Sequence, residues 1–181
     1  MHIGDGEILK LLDKKDSREE GFTLLVKKYQ QRLYWHIRRL VISHDDADDA
    51  LQNTFIKVWK GLERFRRDSQ LYTWLYRIAT NEALTLLKKN KRNKALSMNE
   101  ADQEIASLGN DESLISGDEI KAKLMAAVLT LPPKQQLVFN MKYFDELKYE
   151  EISAVVGTSV GALKASFHLA VKKIEKLIMI D

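Results

Sequence analysis

Apolar residues recur every three to four positions along most of this chain, the signature of helices with one buried side. Phe22, Leu25, Val26, Tyr29, Leu33, Ile37, Leu40 and Val41 line one side of a long helix. Ser17-Arg-Glu-Glu20, just before it, has capping-box spacing, which predicts Glu20 reaching back to the N–H of the cap. Ser43 caps a second helix. Asp45, Asp46, Asp48 and Asp49 fall in or near its first turns, where acids suit the positive end of the helix dipole. Leu51, Phe55, Val58 and Leu62 form its predicted buried stripe, and a third helix is predicted from about Leu71 to Lys89. Residues 93–117 lose the period and turn rich in Asn, Asp, Glu, Ser and Gly, which reads as a linker holding at most one short helical turn. The period returns over 118–131 and stops at Pro132 and Pro133. It restarts over 134–143 with Leu137, Val138 and Met141 inward. Only two prolines and eight glycines interrupt the 181 residues. The fold class is all-α: two small helical domains, 1–95 and 118–181, joined by a flexible linker over 96–117.

The stretch Tyr149 to Lys176 reads as a helix-turn-helix. Ile152, Val155 and Val156 make the apolar side of a short first helix. Gly157 sits where the tight turn needs a residue that tolerates positive φ. Thr158 or Ser159 caps the next helix by accepting from its free N–H groups. Val160, Leu163, Phe167, Ala170, Val171, Ile174 and Leu177 then recur at helical spacing and face a core. The opposite face carries Gly161, Lys164, Ala165, His168 and Lys172, with Ala162 beside them. Small residues let the backbone approach closely, while Lys and His supply donors for phosphates or base edges, as a helix lying in a major groove requires. Short helix, glycine turn and longer helix also occur in ordinary bundles, so this segment alone leaves duplex binding and simple packing both open.

Charge changes the picture. Residues 1–95 hold 20 Lys and Arg against 13 Asp and Glu, residues 96–120 hold none against 7, and residues 121–181 hold 9 against 6. Two basic blocks flank an acidic strip, and basic blocks suit a polyanionic partner. A second face on the Leu71–Lys89 helix points the same way. Trp74, Arg77, Asn81, Thr85 and Lys88 recur at steps of three and four, joined by the loop residues Phe65, Arg66, Arg67 and Gln70. Aromatics interleaved with cations suit unstacked bases and their backbone, whereas Trp74 alone would read as core.

Other classes drop out. The chain has no cysteine, which excludes disulfides and thiolate zinc sites. The N-terminus is too charged for a signal peptide, and the apolar run Leu124 to Val128 is too short for a bilayer, so a cytoplasmic protein without membrane insertion is expected. His44 and Asp45–Asp49 are consecutive on one helix start rather than convergent, which fits solvated acids or a docking surface better than a metal site. No Gly-rich phosphate loop or nucleophile–base pair is visible, so neither catalysis, a small-molecule substrate nor a cofactor is expected. The residues alone leave three further readings open: an autonomous helix-turn-helix repressor or activator, a DNA-processing enzyme, and a protein-only adaptor. The first lacks a visible dimerisation seam, the second lacks convergent carboxylates, and the third leaves the Trp74–Lys88 stripe unexplained.

The runs DDADDALQNTFIKVWKGLERF (45–65), YTWLYRIATNEALTLLKKNKR (72–92) and LPPKQQLVFNMKYFDELKYEEISAVVGTSVGALKASFHLAVKKIEKL (131–177) occur in an order that resembles the extracytoplasmic-function group of bacterial sigma factors, over nearly the whole chain. The resemblance implies a dissociable, non-enzymatic subunit that binds core RNA polymerase and directs it to promoter DNA in response to an extracytoplasmic or stress signal. By position, it implies that Asp48, Asp49, Leu51, Gln52, Phe55 and Val58 dock on the polymerase clamp. Phe65, Arg66, Arg67, Gln70, Trp74, Arg77, Asn81, Thr85 and Lys88 would melt and read the −10 element, holding an extruded base. Ser159, Gly161, Ala162, Lys164, Ala165, His168 and Lys172 would read the −35 element. It further implies an anti-sigma factor, often membrane-tethered, and gives the acidic strip either a nucleic-acid-mimicking role or that of a solvated linker. Ser166, Leu169 and Val171 stand where such proteins often carry arginine, leaving Lys164, Lys172 and Lys173 for phosphates. Leu169 is poorly explained by burial, and Glu82 interrupts an expected apolar position.

Overall fold

The computed structural model describes residues 3–96 and 119–179. They form two compact units, divided at Leu86/Leu87. Among the described residues every regular element is helical: α1 (Asp5–Asp13), α2 (Arg18–Val41), α3 (His44–Gly61), α4 (Leu71–Leu96), α5 (Glu119–Leu129), α6 (Pro133–Phe139), α7 (Tyr149–Val156) and α8 (Val160–Ile178). Residues 97–118, the greater part of the expected acidic linker, lie outside the described residues. Helix α4 runs past the predicted end at Lys89. Lys, Ala and Leu in its last turns propagate a helix well without any burial pattern to announce it.

In the first unit α1 packs on α2 and α2 on α3. Helix α1 was not anticipated, because only Ile8 and Leu12 of its nine residues are buried. Two devices fix it. The Tyr29 hydroxyl donates to the Asp5 carboxylate at 2.7 Å, and Lys28 reaches the same group at 2.6 Å. Burial first, and then the hydrogen bond to Asp5, pushes the Tyr29 phenol far above its ordinary range, so it remains a donor. Close packing is the second device. A Cβ on Gly21 would sit 2.9 Å from Leu11 Cβ and 3.0 Å from the Leu12 backbone nitrogen. Gly21→Val is therefore expected to lower stability in urea unfolding by about 1–3 kcal/mol, the range for overpacking.

Two expectations for this unit are corrected. Ser17 does precede α2, but its side chain makes no cap; it donates to the Leu11 carbonyl at 2.9 Å and closes the α1–α2 turn instead. The buried side of α3 is Ala47, Ala50, Thr54 and Val58, whereas Leu51, Phe55 and Leu62 are only half-buried. Three of those four side chains are small, and ranking positions by apolar size hides such a face. His36, fully buried, places Nε2 2.9 Å from Thr80 Oγ1 and meets the Tyr76 ring edge-on at 4.9 Å, joining α2 to α4.

In the second unit Pro133 occupies the first turn of α6, where its missing N–H has no intrahelical partner to lose. The predicted 134–143 helix is shorter than expected, since Asn140–Phe144 winds as a π turn. Ala127, Val128, Leu131, Phe139, Ala170 and Ile174 form the core, with Phe167 stacked on Phe139 at 5.7 Å. Leu177 was expected inward but is 45% exposed. Ile174 and Ile178 hold the inward positions one turn apart, and Leu177 is turned about 100° from Ile178.

Candidate nucleic-acid interface

Helices α7 and α8 meet at 105°, within the helix-turn-helix range. Gly157 supplies the turn with φ 71°, and the Ser159 hydroxyl accepts from the Ala162 N–H at 3.4 Å. Leu163, Ala170 and Ile174 anchor α8 from beneath. All seven anticipated reader positions, Ser159, Gly161, Ala162, Lys164, Ala165, His168 and Lys172, are exposed. Lys164 Nζ lies 5.8 Å from the centre of the Tyr149 ring, a resting place for the ammonium at the rim of the turn. Loss of solvation pushes the Tyr149 phenol upward. Leu169 is half exposed, so the core does not account for it.

On α4 the side chains of Arg77, Asn81, Thr85 and Lys88 are all exposed along one stripe, and the Thr85 hydroxyl donates to the Asn81 carbonyl at 2.7 Å. Trp74 heads the stripe but is only partly exposed. It lies against Gly61 at the end of α3 and stacks on Phe65, with ring centroids 4.7 Å apart and planes at 29°. The indole is thus both a packing element and one half of an aromatic platform. Arg66 and Gln70 are exposed in the loop above it. Arg67 differs: its φ is 61°, and its guanidinium pairs with Asp13 at the end of α1. A left-handed backbone costs an L-residue roughly 1–2 kcal/mol, and an exposed ion pair returns about 0–1 kcal/mol, so this loop shape is held with little margin. Glu82 also finds its reason. Its side chain is 12% exposed and pairs with Lys57, tying α3 to α4 beside Asn81.

The acidic start of α3 forms a separate face. Ser43 caps it, accepting from the Asp46 N–H at 3.3 Å. Asp48, Asp49 and Gln52 are exposed, and His44 Nε2 lies 3.5 Å from Asp48. Leu51 and Phe55 are half-buried. Val58 is fully buried, so it supports this face from within and presents nothing to a partner. Ile56, 46% exposed, falls seven and four residues after Asp49 and Gln52, on the same side of the helix.

A helix-turn-helix unit with an exposed outer face, together with a second helical unit carrying an aromatic and basic strip, is the make-up expected of a DNA-binding protein. A family model for sigma-70 region 2 matches residues 25–93, and one for sigma-70 region 4 matches residues 121–174. The RNA polymerase sigma-H factor of Pseudomonas aeruginosa is 31% identical over 182 residues, spanning 96% of this chain and 93% of that protein. The ECF RNA polymerase sigma-E factor of Escherichia coli K12 is 29% identical, spanning 97% and 95%. The sigma factor RpoE of Bartonella quintana, solved with the anti-sigma factor NepR, shares the fold with a TM-score of 0.72 at 22% identity, over 88% of this chain and 98% of that one. CnrH, solved with the cytosolic domain of CnrY, does so with a TM-score of 0.70 at 21% identity, over 96% of each chain. The chain belongs to the extracytoplasmic-function group of RNA polymerase sigma factors. Such factors are non-catalytic initiation subunits that bind core polymerase and direct it to promoter DNA. No single helix among the described residues is long and apolar enough to cross a membrane.

Proposed function

We propose a division of labour among three faces of this sigma factor. Residues 1–95 dock on core polymerase through the outer face of α3, with Asp48, Asp49 and Gln52 at its centre and Leu51, Phe55 and Ile56 around them. The same domain opens and reads the −10 element through the Phe65–Trp74 platform, Arg66, Gln70 and the stripe Arg77, Asn81, Thr85 and Lys88. Residues 118–181 read the −35 element through Ser159, Gly161, Ala162, Lys164, Ala165, His168 and Lys172. The chain acts in the cytoplasm without catalysing a reaction itself, and an anti-sigma factor that covers these faces restrains it, as NepR accompanies RpoE of Bartonella quintana. The observation that carries the assignment is the face of α8, where seven exposed small or hydrogen-bonding residues follow the capped turn.

Capture of core polymerase subunits on the tagged chain from native lysate, followed by footprinting of the assembled enzyme, tests the whole assignment; loss of either upstream or downstream protection removes the matching face. The free chain itself is expected to bind promoter duplex weakly and in a salt-sensitive manner. Lys164, Lys172 and Lys173 are the cations along the middle of α8, and polymerase is needed to set the spacing of the two readers. Nanomolar, sequence-specific binding by the isolated chain at physiological salt would instead support an autonomous repressor.

A further inference from the structure

We infer that Arg67 is a positioning residue whose guanidinium, held by Asp13, fixes the shape of the strand-reading loop, and that it is not itself a DNA contact; the inference rests on the proposed role of that loop. Three observations converge. Arg67 adopts φ 61°, a conformation an arginine takes only when its surroundings hold it there. The hold is Asp13, 54 positions away in sequence and the last residue of α1. That anchor is firm, since α1 buries Ile8 and Leu12, bonds Asp5 to Tyr29, and lies against Gly21 without room for a methyl group. Two residues before Arg67, Phe65 is stacked on Trp74. The loop is therefore pinned at two points, and Arg66 and Gln70 are left exposed on either side of Arg67.

Charge supports the assignment. A lone carboxylate at the rim of a surface that meets DNA repels phosphate. Paired with Arg67, Asp13 loses much of that effect, and the charge of Arg67 is in turn partly offset by Asp13. An arginine meant for the phosphate backbone has no need of a left-handed backbone or an acidic partner. A residue that sets the path of the chain uses both.

The test uses full-length chain assembled with core polymerase, on promoter DNA selected from a random library by the wild-type holoenzyme. Closed-complex affinity is measured by footprinting at low temperature, and opening by permanganate reactivity of unpaired thymines. Asp13→Ala and Arg67→Ala are expected to slow opening about fivefold with closed-complex affinity unchanged. Arg67→Gly is expected to open within roughly twofold of wild type, because glycine takes positive φ unaided. The double variant Asp13→Ala, Arg67→Gly should match Arg67→Gly alone. The salt dependence of binding should not change in Arg67→Gly, whereas loss of a phosphate contact would lower its slope by about one. Opening by Arg67→Gly as slow as by Arg67→Ala, or a reduced salt slope, overturns the inference in favour of direct contact. Wild-type opening by Asp13→Ala overturns it as well. If Phe65→Ala and Gln70→Ala open normally, it is the underlying role of the loop that fails. Thermal melting of each variant separates these effects from unfolding.

Discussion

Asp49→Arg is expected to abolish co-purification with core RNA polymerase while leaving the helical fold intact. Asp49 is exposed one turn before Gln52 and Asn53 on the outer face of α3, so reversing its charge touches no packed side chain. Exposed substitutions of this kind usually move stability by less than about 0.5 kcal/mol. At an interface the outcome differs, because a partner cation would be left desolvated and opposed. That costs about 2–5 kcal/mol, which is roughly thirty- to several-thousandfold in Kd. Ile56→Ala is expected to weaken docking less, and Val58→Ala to lower the melting temperature without a docking defect. Anisotropy titration of labelled chain with core enzyme reads all three. Unchanged binding by Asp49→Arg would remove this face from the docking surface.

Lys164→Ala or His168→Ala is expected to weaken recognition of the upstream promoter element by roughly 1–3 kcal/mol where the contact is to a base. Both residues are exposed one turn apart in the N-terminal half of α8, the half that reaches base edges in helix-turn-helix complexes. Opening of a promoter already engaged should change little in these variants. Asn81→Ala should do the reverse, with closed complexes forming normally and permanganate reactivity of the melted thymines falling. Asn81 is exposed on α4 between Arg77 and Thr85, in a unit separate from α8. Identical footprints and identical opening defects from the two sets would show that the roles are wrongly divided.

The parts of the fold that were legible in the sequence are those set by local chemistry. Gly157 and Ser159 announce the α7–α8 turn because positive φ and a free helix N-terminus each admit few residue types. The exposed side of α8 was equally legible, since its small and polar residues stand apart from the apolar side; its reading of DNA remains the proposal above. What was hidden depends on contacts distant in sequence. Helix α1 buries too few residues to show a period. The inner face of α3 was read one step out of rotation because alanines carry little hydrophobic signal individually. Glu82 looked like a misfit until Lys57 was placed beside it, and Arg67 looked like one more cation until its backbone angle and Asp13 were seen. Trp74 was read as either core or stacking platform; its packing against Phe65 and Gly61 shows the first, and its partial exposure is what the proposed second role would use.

The alanine-lined inner face of α3 has a bearing on how promoter-specificity subunits diversify. Ala47, Ala50 and Thr54 are small buried groups on that inner face, while Phe55 and Trp59 meet Phe22 of α2 edge-on. Asp48, Asp49, Asn53 and Ile56 are exposed and lie outside those ring contacts. Substitutions at Asp48, Asp49, Asn53 or Ile56 can accumulate, revert or be exchanged wholesale with those of another sigma factor without a compensating change inside. On the proposed docking role of that outer face, a lineage could retune how strongly such a factor competes for a limited pool of polymerase while its scaffold stays still, and an engineer grafting a new outer face onto α3 would start from the same freedom.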